Sequence, residues 1–294
     1  MDQRSLLRRH SVRPRKGMGQ HFLVSRDILE AIAAAASLQP DDLVVEVGPG
    51  MGALTQVIAG QAGQILAVEL DQELVPKLQE ILAPHQNVRI VQGDILQLDL
   101  ERELAAMPGP AAPAGSPSSV VSATPAPRYK VVANLPYYIT TPILRYFFAQ
   151  RFRPSIIVVT VQEEVGRRMT ADPPEMNFLA VLVQFHGQPR IVQRIAPGAF
   201  YPPPKVGSAV VHIAMRETLP LDERQAQRFL RLVSGGFSQP RKQVHNPLAQ
   251  TCGLSRAEIV GILRENGIDE KRRAETLSLE EWLRLSRRLL AEQP

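Results

Sequence analysis

Residues 129–144 read YKVVANLPYYITTPIL, and this stretch decides the fold of the chain. The run from Tyr129 to Ala133 is typical of a buried parallel strand. Pro136 lacks a backbone N–H and disfavours helix at Leu135, so the strand must end in an extended turn. The turn brings an amide side chain, a free carbonyl and an aromatic ring to the carboxyl end of a strand. In open α/β sheets, ligands bind at that end.

The turn Asn134-Leu135-Pro136-Tyr137 suits chemistry on an exocyclic amine attached to a planar ring. The N6 amine of adenine is a poor nucleophile, because its lone pair is delocalised into the ring. The Asn134 side-chain oxygen and the Leu135 carbonyl would accept its two N–H groups and favour a lone pair directed at an electrophile. Tyr137 would stack on the base. These four residues equally allow a strand-ending turn with a packed tyrosine, so the rest of the chain must decide.

A glycine loop, EVGPGMG at 46–52, follows a β-branched strand and opens a helix. Its glycines allow a ligand to approach the backbone, and the helix N-terminus adds positive potential. Dinucleotide-binding folds place an acid about 20 residues after the glycine loop, where it binds the ribose, and Glu69 fits that position. The loop and this acid therefore do not distinguish NAD from another adenosine cofactor. Glu46 would repel a pyrophosphate, and Asp94 is placed to accept from an adenine amine. With Asn134 after the next strand, these features favour S-adenosylmethionine, which has adenosine and a positive centre but no phosphate.

Strands and helices alternate between residues 43 and 169, which predicts a parallel, doubly wound sheet. Two later strands, 191–195 and 209–213, would add a hairpin and give seven strands. Residues 108–128 break the alternation, since six of these 21 residues are Pro and most of the others are Ala or Ser. Such a segment buries too little apolar surface to offset its ordering entropy, so we expect a flexible insertion.

From about Glu217 onward the pattern is helical. Ser278-x-x-Glu281 is a capping box for the last helix, and Trp282 lies on the apolar face that we assign to a core. Many basic side chains of this part must be solvated, but as a set on a small helical domain they favour contact with phosphate. They are Arg241, Lys242, His245, Lys271, Arg272, Arg273, Arg284, Arg287 and Arg288.

Composition excludes several classes of protein. The 294 residues are 44% hydrophobic without an apolar stretch of membrane-spanning length, which favours a soluble protein. The single Cys252 rules out an internal disulfide and fits the cytoplasm, and six scattered histidines predict no metal site. A net charge of +5 suits a polyanionic partner. Residues 1–16 hold six basic residues against one acid, and we expect a basic flexible tail, with a nucleic-acid arm or transit peptide as alternatives.

Taken together, these segments resemble the small-subunit ribosomal RNA adenine dimethyltransferases of the KsgA/RsmA type, over about residues 15–290. The resemblance implies an α/β, Rossmann-like class I methyltransferase domain with a mostly parallel seven-stranded sheet, and a small C-terminal helical domain. It places the methyltransferase domain at 17–216 and the helical RNA-binding domain at 217–294. The motifs that carry it are GQHFL (19–23), EVGPGMGALT (46–55), VELD (68–71), QGDIL (92–96), ANLPYYITTPIL (133–144), FYPPPKVGSAVV (200–211) and FSQPRKQVHNPL (237–248).

The resemblance also implies roles for particular residues. The positions that match the family's cofactor contacts are His21, Leu23, Gly48, Glu69, Asp94 and Asn134. Asn134 is shared with the target amine, and Phe200 either faces the target base opposite Tyr137 or packs in the core. The chain departs from the family's usual pattern where His21 replaces a frequent Asn, where Gly207 replaces a frequent Asp, and in the insertion at 108–128.

The implied activity is dimethylation of two adjacent adenosines in a loop near the 3′ end of 16S RNA, with S-adenosylmethionine as donor. We expect in-line displacement driven by positioning and electrostatics, without a general base. The expected partner is 16S RNA within the small ribosomal subunit or its precursor, and the expected state is a cytoplasmic monomer. Three alternatives remain: a 23S RNA adenine methyltransferase of the antibiotic-resistance type, a mainly non-catalytic small-subunit assembly factor, and a small-molecule N-methyltransferase.

Overall fold

The structure is a computed structural model that describes residues 3–107 and 128–291. All but the last residue of the expected insertion at 108–128 lie outside the described residues. The described strands alternate with helices along the chain, as the sequence predicts. The strands are β1 (Phe22–Leu23), β2 (Leu43–Val47), β3 (Gln64–Glu69), β4 (Val88–Gln92), β5 (Tyr129–Asn134), β6 (Ile156–Gln162), β7 (Gly187–Ile195), β8 (Phe200–Tyr201) and β9 (Ser208–Met215).

In the described parts of the chain, one helix precedes β1, seven lie between β1 and β7, and four follow β9. They are α1 (Gln3–Arg9), α2 (Arg26–Ala35), α3 (Ala53–Ala59), α4 (Val75–Leu82), α5 (Leu100–Ala105), α6 (Thr140–Ala149), α7 (Glu163–Met169), α8 (Phe178–His186), α9 (Glu223–Gly236), α10 (His245–Cys252), α11 (Arg256–Glu265) and α12 (Leu279–Ala291). Short 3₁₀ turns occupy Lys16–Met18, Tyr137–Ile139, Pro197–Ala199 and Ala274–Thr276.

The main sheet has seven strands in the order β4-β3-β2-β5-β6-β9-β7. Strands β2 to β6 pair in parallel, and β9 pairs with β6 in the antiparallel sense. The central strands β2, β3 and β5 are apolar and nearly fully buried, as expected for a sheet covered by helices on both faces. The α/β, Rossmann-like fold class with a mostly parallel seven-stranded sheet is therefore confirmed. Its strand order reverses between β2 and β5, which is where such sheets bind ligands.

The described residues form two compact units. The first contains those up to Gly166 together with Arg190–Met215, and the second contains Arg167–Pro189 and those from Arg216 onward. This division differs from the expected boundary between 216 and 217, because α8 and its flanks join the helical unit. The sequence of α8, FLAVLVQFH, is apolar on almost every side, so helical periodicity does not distinguish it from a buried strand.

The core of the helical unit explains why α8 belongs to it. Ala180 and Phe185 of α8 lie in one apolar cluster with Phe229 and Trp282. Trp282 is fully buried, in agreement with the core position that the sequence predicts. Its ring lies against α9, where a Cβ added at Gly236 would come within 2.3 Å of the indole. Trp282 therefore packs closely against α9 within this shared core.

The amino-terminal segment differs from the flexible tail expected at 1–16. Leu6 and Leu7 of α1 are buried, at 7% and 2% exposure, in a cluster with Met51 and Leu74. Arg15 donates to the buried carboxylate of Asp71 at 3.0 Å. The basic residues predict a solvated tail, but burial of the leucine pair provides the free energy that orders the segment.

Candidate active site

One cleft in the first unit lies at the carboxyl ends of β2, β3, β4 and β5. It gathers residues that are far apart in the sequence but follow successive strands. Eight of the nine predicted site residues line it, namely His21, Leu23, Gly48, Glu69, Asp94, Asn134, Leu135 and Tyr137. The structure therefore brings together the residues that the motifs predict, with the exception of Phe200.

The glycine loop after β2 has three residues with positive φ, at Gly48 (+67°), Gly50 (+60°) and Gly52 (+74°). A Cβ at Gly52 would meet Leu78 at 2.9 Å, so this glycine allows α3 and α4 to pack. At Gly48 no heavy atom lies within 4 Å of the Cβ position, and the backbone N–H is bonded to the Val68 carbonyl at 2.9 Å. The loop thus presents bare backbone and open space to a ligand.

Glu69, at the end of β3, is buried beside this loop. Its two carboxylate oxygens accept from the backbone N–H groups of Gly50 at 2.9 Å and Asp71 at 2.8 Å. Burial raises the pKa of Glu69, and the two N–H groups partly offset that effect. Each oxygen keeps a second lone pair, so this fixed carboxylate can still accept from ribose hydroxyls.

Asp94 follows β4 and forms a local turn. Its Oδ1 accepts from the Leu96 N–H at 3.0 Å, and Oδ2 has no hydrogen-bond partner among the described residues. A carboxylate oxygen of this kind at the cleft wall can accept from an adenine amine.

Glu46, the last residue but one of β2, lies in the wall of the cleft and is 1% exposed. Burial raises its pKa to about 8, with a further contribution from the charge of Glu69. Among the described residues its Oε2 has no hydrogen-bond partner. Among the described residues the cleft lining contains no Lys or Arg that could pair with a phosphate, and the open backbone at Gly48 gives an adenosine ligand room. The residues present therefore fit S-adenosylmethionine.

Asn134 ends β5 with its side chain fixed. Its Nδ2 donates to the backbone carbonyl of His21 at 3.0 Å, which identifies the other amide atom, Oδ1, as a pure acceptor. The Leu135 N–H is bonded to the Thr160 carbonyl at 3.3 Å, and the Leu135 side chain is buried, so the role left for Leu135 is that of its carbonyl. The strand end thus offers the fixed acceptor that the sequence predicts.

Tyr137 lies in the 3₁₀ turn after Pro136, with its ring stacked on that of His21 at a centroid distance of 5.7 Å. Its hydroxyl is bonded to the Ser208 Oγ at 2.6 Å, and burial raises the pKa of the phenol. The His21 ring is itself held through Nδ1 by the carbonyl of Pro202 at 2.7 Å. Both rings are therefore fixed from two sides at the wall of the cleft.

Phe200 does not face the cleft. It is 1% exposed and packs in the core of the first unit with Leu23 and Val210. The two-stranded pairing of β1 with β8 sets Phe200 opposite Leu23, and this register directs the ring inward. Of the two roles that the sequence left open, the structure favours core packing over contact with the target base.

Several residues that build the cleft are not predicted from the sequence. Gln20 donates to the Asp71 carboxylate at 2.9 Å and accepts from the Arg15 N–H at 2.9 Å, which fastens the GQHFL segment to the end of β3. Tyr138 lines the cleft and is 58% exposed, so it is an aromatic side chain open to solvent at the site. The polar Gln20 and the second tyrosine of the NLPYY run are both visible in the sequence, but nothing in their spacing assigns them.

Gly207, which stands where the family frequently has Asp, lies beside a carboxylate of another residue. A Cβ at this position would lie 2.8 Å from Oε2 of Glu163. The Glu163 carboxylate pairs with Arg194 at 3.2 Å. A carboxylate from α7 thus occupies the space beside position 207 in this chain.

The second unit contains a separate surface, which we call the basic basin. All of its lining residues carry basic or amide side chains. They are Gln239, Arg241, Lys242, Gln243, Asn246, Arg256, Lys271 and Arg273. Five cations without a carboxylate in the lining favour an anionic ligand with several charges. Four of these cations, all but Arg256, belong to the set that the sequence singled out.

Within residues 3–107 and 128–291, no group of three or more His, Cys, Asp or Glu side chains is placed to hold a metal ion. In the same described part of the chain, no helix is long and apolar enough to cross a membrane.

The fold and the cleft define a class I, Rossmann-like methyltransferase. A sequence model of the ribosomal RNA adenine dimethylase family matches residues 12–289. The chain belongs to this family, whose members are S-adenosylmethionine-dependent rRNA methyltransferases. The resemblance inferred from the motifs is thereby confirmed.

Relatives of known name agree with this assignment. The chain is 42% identical over 282 residues to ribosomal RNA small subunit methyltransferase A of Dehalococcoides mccartyi strain CBDB1, covering 96% of this chain and 90% of the relative. It is also 42% identical over 287 residues to the protein of the same name from Moorella thermoacetica, covering 97% and 96%.

Solved structures show the same fold. The 23S rRNA methyltransferase ErmE superposes with a TM-score of 0.69 at 26% identity, covering 91% of this chain and 99% of that one. A dimethyladenosine transferase from Plasmodium falciparum gives a TM-score of 0.72 at 21% identity, covering 90% and 96%, and at that identity it supports the fold alone.

Proposed function

We propose that this protein dimethylates N6 of two adjacent adenosines in a loop near the 3′ end of 16S RNA, in the small ribosomal subunit or its precursor. It would act as a cytoplasmic monomer during ribosome assembly. The names of the bacterial relatives at 42% identity support the choice of the small subunit. The observation that supports the proposed chemistry is the fixed acceptor Oδ1 of Asn134, in the same cleft as Glu69 and Asp94.

The donor would be held by residues at the ends of three strands and by the β1 segment. Glu69 would accept from the ribose hydroxyls, Asp94 from the adenine amine, and Gly48 would give backbone contact, with His21 and Leu23 closing the cleft. When bound, S-adenosylmethionine supplies a methyl group activated by a positively charged sulfur. The protein's own contribution is to position the acceptor amine against that methyl group.

Asn134 and Leu135 would orient that amine. The Asn134 Oδ1 and the Leu135 carbonyl accept its two N–H groups, and this favours a pyramidal nitrogen with its lone pair free to react. The bond from Asn134 Nδ2 to the His21 carbonyl fixes the acceptor before the base arrives, so little reorganisation is needed on binding.

Tyr137 would stack on the target base from the wall of the cleft. Its hydroxyl bond to Ser208 and its contact with His21 hold the ring in place for that contact. A base in an unpaired loop can leave its neighbours at little cost. No general base is required, because the proton on the alkylated nitrogen is acidic and passes to water.

The basic basin would bind phosphate groups of the RNA. A protein that neutralises several phosphates releases counterions, so its affinity falls steeply with salt. Binding of small subunits that weakens with salt, and weakens less steeply in a Lys242→Ala variant, would support this role.

Replacement of Asn134 by Ala tests the proposed chemistry. We expect methylation of unmodified small subunits to fall at least about 100-fold, because one fixed hydrogen-bond partner of the reacting group is lost. Donor affinity, measured by calorimetry, should change far less. Asn87→Ala is the matched control. Like Asn134, Asn87 donates from its amide to the backbone, in this case to two carbonyls at 3.0 and 2.9 Å, but it lies outside the cleft lining. Near-normal turnover in Asn134→Ala would overturn the assigned role.

A further inference from the structure

His245, the first residue of α10, is a buried histidine beside the basic basin. It is 2% exposed, and both of its ring nitrogens have partners. Nδ1 lies 2.8 Å from the backbone carbonyl of Glu270, and Nε2 lies 2.9 Å from Nε of Arg256.

These two partners fix the protonation of the ring. A carbonyl only accepts, so Nδ1 must carry the hydrogen and donate it to Glu270. The Nε–H of an arginine only donates, so Nε2 of His245 must be bare and accept from Arg256. A single tautomer, with the hydrogen on Nδ1, satisfies both contacts.

The hydrogen bond from Arg256 Nε to His245 restrains a side chain that lines the basin. Arg256 is the first residue of α11, is exposed, and lines the basin. Because Nε is held by His245, the guanidinium plane is fixed while its two terminal nitrogens stay available to a ligand. Those are the atoms that an arginine uses for two-point contact with a phosphate.

We propose that His245 is a positioning residue for RNA binding, which holds Arg256 ready for a phosphate in the basic basin. The proposal rests on the RNA-binding role proposed above. A long arginine side chain that is already held loses less rotamer freedom when it binds than a mobile one. A histidine with a purely structural role would only join α10 to the loop at Glu270.

A double-mutant cycle separates these two roles. Affinity for unmodified small ribosomal subunits would be measured between about 50 and 200 mM KCl for the wild type, His245→Leu, Arg256→Ala and the double variant. Arg256→Ala should weaken binding and lower the salt slope by about one. His245→Leu should weaken binding about two- to five-fold, and the double variant should bind no more weakly than Arg256→Ala.

Two further variants serve as checks. His245→Gln keeps an acceptor for Arg256 and a donor for Glu270, and it should restore most of the affinity lost in His245→Leu. Arg231→Ala removes an exposed cation of α9 that does not line the basin and should leave the affinity unchanged. Thermal unfolding of each variant shows whether it remains folded under the binding conditions.

Additive losses in the cycle, or failure of His245→Gln to restore affinity in a folded protein, would overturn the positioning role. So would wild-type affinity and salt slope in His245→Leu. Failure of the proposed function itself would give a different result. The wild-type protein would then neither methylate small subunits nor bind them with salt dependence.

Discussion

The charge of Glu46 should make the stability of this protein fall as pH rises, and Glu46→Gln should remove that dependence. The carboxyl group is 1% exposed, and burial raises its pKa from 4.5 to about 8. The folded protein therefore holds a proton that the unfolded chain has lost between these two values. The effect is absent below about pH 4.5, grows through neutral pH, and is complete above about pH 8.

The size of the effect follows from the same interval. The span from 4.5 to about 8, at about 1.4 kcal/mol per pH unit, corresponds to about 5 kcal/mol. The penalty on folding should be about 1 kcal/mol at pH 5, about 3 kcal/mol at pH 7 and nearly the full value at pH 9. Gln has a similar volume and no charge, so Glu46→Gln should gain stability over the wild type by amounts that increase in this order.

Urea unfolding followed by circular dichroism at these three pH values measures the difference. Glu30→Gln is the matched control, because Glu30 is an exposed carboxylate in an i,i+4 pair with Arg26 of the same unit. It should shift stability by less than about 1 kcal/mol at every pH. A stability difference between Glu46→Gln and the wild type that is the same at pH 5 and pH 9 would show that burial does not raise the pKa of Glu46.

Two further substitutions test the packing. Gly236→Ala should destabilise the helical unit by about 1–3 kcal/mol, because its Cβ would come within 2.3 Å of Trp282, whereas Gly261→Ala, with no atom within 4 Å of the new Cβ, should be neutral or stabilising. Equal thermal unfolding of the two variants would contradict this account. Leu7→Ala should lower the stability of the first unit by about 2–4 kcal/mol in urea unfolding, since Leu7 packs on Met51, and an unchanged protein would show that the segment is not docked.

The sequence predicts the sheet and its ligand-binding edge well, because both depend on local patterns. β-branched apolar runs ended by glycine, acid or proline give the strands, and the parallel order then brings their carboxyl ends together. The capping box at Ser278 is confirmed in both directions, since the Ser278 N–H donates to Glu281 at 2.8 Å and Oγ accepts from the Glu281 N–H at 3.3 Å. Each of these features is encoded within a few neighbouring residues.

The features that the sequence does not predict depend on distant contacts. Burial of Leu7 is decided by Met51 and Leu74, which no property of residues 1–16 reveals. The inward direction of Phe200 follows from its pairing with Leu23, more than 170 residues away in the chain. The contact between His245 and Arg256 likewise depends on how α10 and α11 are packed. In each case the tertiary partner, not the local pattern, determines the role.

The position of the methyl groups in the RNA decides whether this protein is a 16S RNA adenine dimethyltransferase. Small subunits from a strain that lacks this modification would be incubated with the protein and isotopically labelled S-adenosylmethionine, and their RNA would be digested and mapped by mass spectrometry. We expect two adjacent N6,N6-dimethyladenosines near the 3′ end of 16S RNA. Label confined to 23S RNA in a parallel reaction, or no transfer to either RNA, would contradict this expectation.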